Sequence, residues 1–148
     1  MPPPAGLPLG LNLARTARTV SRSFEAALAA AGGSTPVWLV LISLKSQQLG
    51  NQRELAEAVG IRGATLTHHL NAMEAGGLVT RRRDPANRRV HLVELTDRGD
   101  ALFHRLRAAA VAFDRQLRAG MTEHDVASIE RHLAQLRQNV AEETVRST

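Results

Sequence analysis

Five arginines crowd into residues 78–91: Arg81, Arg82, Arg83, Arg88 and Arg89, opposed by one acid, Asp84, for a net +4 over fourteen residues. A guanidinium is a permanently charged, planar fork of donors, suited to phosphate oxygens and to guanine edges. Just upstream, Arg62, Thr65, Thr67, His68 and Asn71 fall opposite an apolar set formed by Leu66, Leu70 and Met73. Threonine hydroxyls can reach phosphates or base edges, an asparagine amide can read adenine, and Arg62 can read guanine or hold a phosphate. Over 51–77 the charges are Arg53 and Arg62 against Glu54, Glu57 and Glu74, a net −1. The cationic anchor is therefore the segment 78–91 and not the polar face that precedes it, so release of phosphate counterions should dominate affinity.

Other chemistries find little footing. The chain has no cysteine, which removes disulfides, thiolate metal sites and thiol redox sensing. His68, His69, His91, His104, His124 and His132 are scattered, and no pair has the i, i+4 spacing of two ligands on one helix face. A zinc site built from His104 and carboxylates of the first helices is the weaker alternative; no metal and no cofactor is the expectation. No glycine-rich phosphate loop or nucleophile motif is present, so an enzyme is not expected. Charged residues make up 22% and apolar residues 43%, ordinary for a soluble domain. The net charge is +5, and eighteen of the nineteen basic residues are arginine, Lys45 being the exception. That bias equally suits a GC-rich coding sequence, so charge alone decides little. Residues 1–10 carry Pro2, Pro3, Pro4 and Pro8 without a basic segment or an adequate apolar run, and the longest apolar stretch, 37–42, is six residues. A cytoplasmic location with no membrane span is expected.

The elements that must position these side chains can be read from periodicity. Residues 1–10 read as a disordered arm. Over 11–31, Leu13, Ala17, Val20, Phe24, Leu28 and Ala31 step by three and four, a helical stripe. Thr35 and Pro36 predict an N-cap and first helical residue for a buried helix over 36–47, broken at Gly50. Trp38 lies in that helix and reads first as core, second as a ligand contact. Asn51 with Glu54 is a capping-box pattern for a short helix over 52–59, stopped by Gly60. A second helix follows over 63–75, then strands over 78–83 and 89–95 joined by turn chemistry at 84–87. Thr96 caps a long helix over 97–118. A last helix starts at Thr122–Asp125, and its Val126, Ile129, Leu133, Leu136 and Val140 form a heptad-like seam. The fold class expected is mainly α with a small antiparallel β wing: a winged helix-turn-helix plus a helical dimerisation region. The divisions are an arm at 1–10, N-terminal helices at 11–47, a winged lobe at 51–96 and dimerisation helices at 97–148.

On these residues the chain resembles the MarR family of bacterial regulators. The resemblance runs from Leu11 onward and is carried by Glu54–Leu–Ala56, by Thr65–Leu–Thr67 leading to Leu70, Glu74 and Gly77–Leu–Val79, and by the wing from Arg81 to Asp84–Pro85, Arg88–Arg–Val90 and Leu95–Thr96. It implies a homodimer with interlocked first and last helices and a pseudo-palindromic double-stranded DNA operator. It further implies a repressor released by a small aromatic or lipophilic effector near the second helix, where Trp38 lies. Arg89 falls on the wing-tip arginine that the family inserts into the minor groove. Asn87 stands where an aspartate is common, with Asp84 and Asn87 as supports of the tip, and His69 sits where an apolar residue is common, which predicts half-burial. The competing reading is a winged-helix architectural or protein-interaction module without a defined operator; five clustered arginines argue against a protein partner.

Overall fold

The computed structural model describes residues 6–47 and 51–146. The elements are α1 (Leu9–Ala30), α2 (Thr35–Gln47), α3 (Gln52–Val59), α4 (Gly63–Ala75), β1 (Val79–Arg83), β2 (His91–Leu95), α5 (Asp97–Leu117) and α6 (Glu123–Arg146). The chain divides into two units, 1–111 and 112–148, with the boundary inside α5. Among the described residues no single helix is long and apolar enough to cross a membrane. The mainly helical class with one two-stranded antiparallel wing is as expected.

Several boundaries differ from the periodicity. Of the arm expected at 1–10, residues 1–5 lie outside the described residues, and α1 begins at Leu9, two residues before the expected start. The Pro8 carbonyl accepts the Asn12 N–H at 2.9 Å, and a proline just ahead of a helix forfeits no donor that the helix needs. The break expected at Gly50 also lies outside the described residues. The cap of α2 is corrected by one residue. Thr35 is already helical, and Ser34 takes the capping place, its Oγ accepting the Val37 N–H at 3.4 Å and its carbonyl the Trp38 N–H at 2.9 Å. Thr35 is held elsewhere: its N–H donates to Glu25 Oε2 at 2.9 Å, and its hydroxyl bonds the same carboxylate oxygen. The strands begin at Val79 and His91, because Leu78 and Arg89 belong to the adjoining turns.

In the first unit the core gathers around α2, whose Val40 and Leu41 are wholly buried with Leu28 of α1, Leu55 of α3, Leu66 and Leu70 of α4 and Leu106 of α5. Burying a leucine fully is worth about 2 kcal/mol, so these contacts and not local propensity hold the short helices. Trp38 is buried and stacks on Phe103 of α5, ring centroids 5.7 Å apart and 14° from parallel. The turn between α3 and α4 needs Gly60, at φ +76°, a left-handed value that suits a residue without Cβ. The α3 start is capped as predicted, Asn51 Oδ1 accepting the Glu54 N–H at 2.8 Å.

The hairpin pairs Val79 with Leu95 through to Arg83 with His91, and a lone bridge from Asn51 to Leu92 adds a rudimentary third strand. At its base, Thr96 Oγ1 lies 2.6 Å from the Gly77 carbonyl and 2.9 Å from that of Leu78, and accepts the Gly99 N–H at 3.0 Å. In the second unit, Thr122 and Asp125 cap α6 reciprocally: the Asp125 N–H donates to Thr122 Oγ1 at 3.1 Å, and the Thr122 N–H to Asp125 Oδ2 at 2.9 Å.

A β-carbon on Gly99 would stand 2.1 Å from the Leu78 carbonyl oxygen, closer than any packed pair tolerates. Backbone atoms at a strand start cannot yield as a side chain would. Gly99→Ala is therefore expected to lower unfolding free energy by about 3 kcal/mol, read from urea denaturation. A loss below about 0.5 kcal/mol would show that the junction relaxes freely.

Candidate nucleic-acid interface

Helix α4 turns Leu66, Leu70 and Met73 into the core, and that leaves Arg62, Thr65, His68 and Asn71 exposed on its outer side. Arg62 precedes the first turn of α4 and Asn71 lies near its last, so the exposed set runs the length of the helix. Thr67, expected on this face, is half-buried. Its hydroxyl accepts from Gln52 Nε2 at 2.7 Å and donates to the Gly63 carbonyl at 2.9 Å, tying α4 to the start of α3. His69 is half-buried, as its position predicted, with its ring edge-on to that of His68 at 5.7 Å.

The five wing arginines divide by environment. Arg81 turns back onto α4: its Nη2 donates to Asn71 Oδ1 at 2.5 Å and to Glu74 Oε1 at 3.2 Å, and its N–H donates to Glu74 Oε2 at 3.0 Å. Its side chain is only 18% exposed, so it is a strut between wing and helix and not an outward contact, a correction to its place among the wing cations. The cause is the two-residue alternation of a strand, which sends Arg81 and Arg82 to opposite faces. Arg82 pairs across the hairpin with Glu94 at 2.8 Å, an exposed bridge worth well under about 1 kcal/mol. Arg83 Nη1 donates to the Arg88 carbonyl at 3.4 Å. Arg88 and Arg89 are exposed and form no ion pair with a described acid.

The tip is a tight turn held by side-chain caps. Asp84 Oδ1 accepts the Ala86 N–H at 2.9 Å, and Asn87 Oδ1 accepts the Arg89 N–H at 3.2 Å. Asn87, expected as a support of the tip, acts through the backbone: its amide oxygen shapes the chain beneath Arg89. Between α3, the start of α4 and this tip lies an open groove of about 930 Å³, lined by Arg53, Arg62, Thr67, Arg89 and His91 among others. Three guanidinium-bearing residues on one groove outweigh its one carboxylate, Glu57, which lies 3.9 Å from Arg53 Nε, and so attract a polyanion. Neither Arg53 nor His91 stands out in the sequence as part of this face, because only the fold brings the starts of α3 and β2 beside Arg62.

Away from this face, Asp100 of α5 bonds Lys45 of α2 and lies 3.4 Å from His104 Nε2. The bond from Lys45, with smaller help from His104, holds the Asp100 carboxyl below its ordinary value. Among the described residues no three His, Asp or Glu side chains converge as a metal cluster.

The MarR family model matches residues 34–91, the segment that builds this face. Over these residues the chain is similar to the MarR family. An HTH-type transcriptional regulator of Bacillus subtilis (strain 168), YdgJ, itself uncharacterised, is 31% identical over 90 residues, 61% of this chain and 55% of that protein. The chain thus spans about half the length of that curated relative. Two solved structures extend the likeness over the larger part of the fold. The transcriptional repressor CouR bound to a 23-mer DNA duplex is 28% identical with a TM-score of 0.77, covering 88% of this chain and 92% of that one. CouR from Rhodococcus jostii RHA1 bound to p-coumaroyl-CoA is 26% identical with a TM-score of 0.72, covering 86% and 90%.

On α4 the Glu74 carboxyl lies below its ordinary value of 4.5, first because of the Arg81 side-chain hydrogen bond and further through the Arg81 N–H and charge. A carboxylate lowered on folding contributes stability that is complete above its ordinary value and disappears as pH falls through the lowered one. The melting temperature of the parent chain should therefore exceed that of Glu74→Gln by a constant margin from about pH 7 to about pH 5, and the margin should shrink below about pH 4. Melting curves that stay parallel down to about pH 3 would show that the Glu74–Arg81 pair contributes nothing to the fold.

Proposed function

We propose that this protein is a sequence-specific double-stranded DNA-binding transcriptional regulator that acts as a homodimer. The observation that carries the reading is the juxtaposition of an exposed polar helix face, Arg62 to Asn71, with a hairpin tip whose Arg88 and Arg89 are exposed and pair with no described acid. Helix α4 enters the major groove, the groove arginines Arg53 and Arg62 take backbone phosphates, and Arg89 reaches the adjacent minor groove. CouR, similar at 28% identity, is described as a repressor and has been solved on DNA, which supports the same docking here. The regulator acts as a repressor, and a small aromatic or lipophilic effector releases it, a step supported by the p-coumaroyl-CoA-bound form of CouR. A gel shift against the DNA upstream of its own reading frame, with excess non-specific competitor, tests the reading. Loss of all binding under competition would favour an architectural or protein-interaction module.

The homodimer rests on α6. Val126, Leu133 and Leu136 are half-buried and Ile129 is 45% exposed, a seam at three- and four-residue steps along one side of the helix. A second copy brought in on a two-fold axis closes such a strip on itself. The full chain should sediment as a dimer at micromolar concentration, and Ile129→Glu should shift it toward monomer; a monomeric parent chain would end this part of the reading.

Arg89→Ala should cost roughly 1–3 kcal/mol of operator affinity per subunit and lower the salt slope by about 1 per subunit. The same change at Arg82, already neutralised by Glu94, should cost less. Titration of parent and variants at two salt concentrations measures both quantities. An unchanged slope for Arg89→Ala would remove the tip from the interface.

A further inference from the structure

The contact between Arg81 and Asn71 bears on which base the helix face selects, an inference that rests on the DNA-binding reading above. A guanidinium has donors and no acceptor, so an amide bonded to it must present its oxygen. Asn71 Oδ1 receives Arg81 Nη2 at 2.5 Å, and the other end of the amide, Nδ2, has no hydrogen-bond partner among the described residues. Arg81 cannot swing away easily. The same Nη2 reaches Glu74 Oε1, the Arg81 N–H holds Glu74 Oε2, and the side chain is only 18% exposed. Asn71 and Glu74 are three residues apart, neighbours on one side of α4. The wing thus fixes the sense of an amide on the helix.

We infer that Arg81 is a positioning residue that sets the hydrogen-bond polarity of Asn71, so that Asn71 meets the major groove as a donor and selects guanine over adenine. Bidentate reading of adenine uses the amide oxygen to accept from N6 and the nitrogen to donate to N7. Here the oxygen is already engaged by a cation and turned toward the wing. The two Nδ2 hydrogens match the adjacent N7 and O6 acceptors of guanine, with thymine O4 as a poorer single acceptor. This reverses the adenine preference that asparagine alone suggests. Arg81 itself touches no base.

The test uses the full chain and a randomised double-stranded DNA library, with recovered sites compared between variants. Asn71→Ala first identifies the base position that Asn71 reads, as the one whose discrimination collapses. At that position the parent chain is expected to favour guanine over adenine by about tenfold. Arg81→Met releases the amide and should move the preference toward adenine, while Arg81→Lys, which keeps a donor, should retain guanine. A merely structural role for Arg81 would weaken all sites alike and leave the base preference unchanged, and that result overturns the inference. If thermal melting shows Arg81→Met to be unfolded, Asn71→Asp carries the test. Its carboxylate has no donor, so guanine must lose its advantage; retention of guanine overturns the inference equally. Enrichment of a defined site that does not depend on Asn71 overturns the inference while the DNA-binding reading stands. A library from which the parent chain enriches no sequence defeats that reading, and this inference with it.

Discussion

The Thr96 hydroxyl lies against both carbonyls that open the wing, those of Gly77 and Leu78, and accepts the N–H of Gly99 in the first turn of α5. The exit of α4, the base of the hairpin and the start of α5 therefore meet at one oxygen. The Thr96 N–H adds a bond to the Leu78 carbonyl at 3.1 Å, and Gly99 lets α5 pass against that same carbonyl without a Cβ in the way. A two-stranded ribbon is marginal by itself. This ribbon keeps its direction because its base is clamped here and its face is clamped by Arg81 on α4. Everything proposed for the tip follows from those two anchorages, since a hairpin free to swing could not hold Arg89 beside the helix face.

Charge pairing then sorts cations that look alike in the sequence. Arg81 and Arg82 each have a glutamate within hydrogen-bond distance, Glu74 and Glu94, and Arg83 donates to a backbone carbonyl. Arg88 and Arg89 stay exposed at the tip, while Arg62 lines the groove beside it together with Arg53, itself 3.9 Å from Glu57. Paired cations repel one another less and hold structure; unpaired ones keep their full attraction for phosphate. The formal +4 of the wing overstates what faces outward, yet Arg89, one of the two arginines left over, lines the groove beside the helix face that would read bases.

Much of the architecture was legible from residue order. The apolar steps at Leu66, Leu70 and Met73 decided which side of α4 is buried, and Asn51, Thr96 and Thr122 announced the helix starts through capping chemistry that needs neighbours only three residues away. Those signals are local, so the chain alone determined them. The cap of α2 was misread by one residue because Ser34 and Thr35 are both competent caps, and the choice went to Ser34 once Glu25, ten residues upstream, engaged Thr35.

The roles of the polar side chains were decided by the tertiary structure. Thr67 looked like a base or phosphate contact until Gln52 of the neighbouring helix took its hydroxyl. Asn87 was expected to support the tip, and the turn geometry made the Arg89 N–H the group it engages. Arg81 looked like one of five equal cations until the pleat of β1 and the approach of α4 brought it against Asn71 and Glu74. The sequence by itself determined the helices, the hairpin, the sign of the wing charge and the helix side that faces outward. Only the tertiary structure decided which wing arginines are paired with acids, because the partners of Arg81 and Arg82, seven to twelve residues away, are chosen by packing and not by spacing.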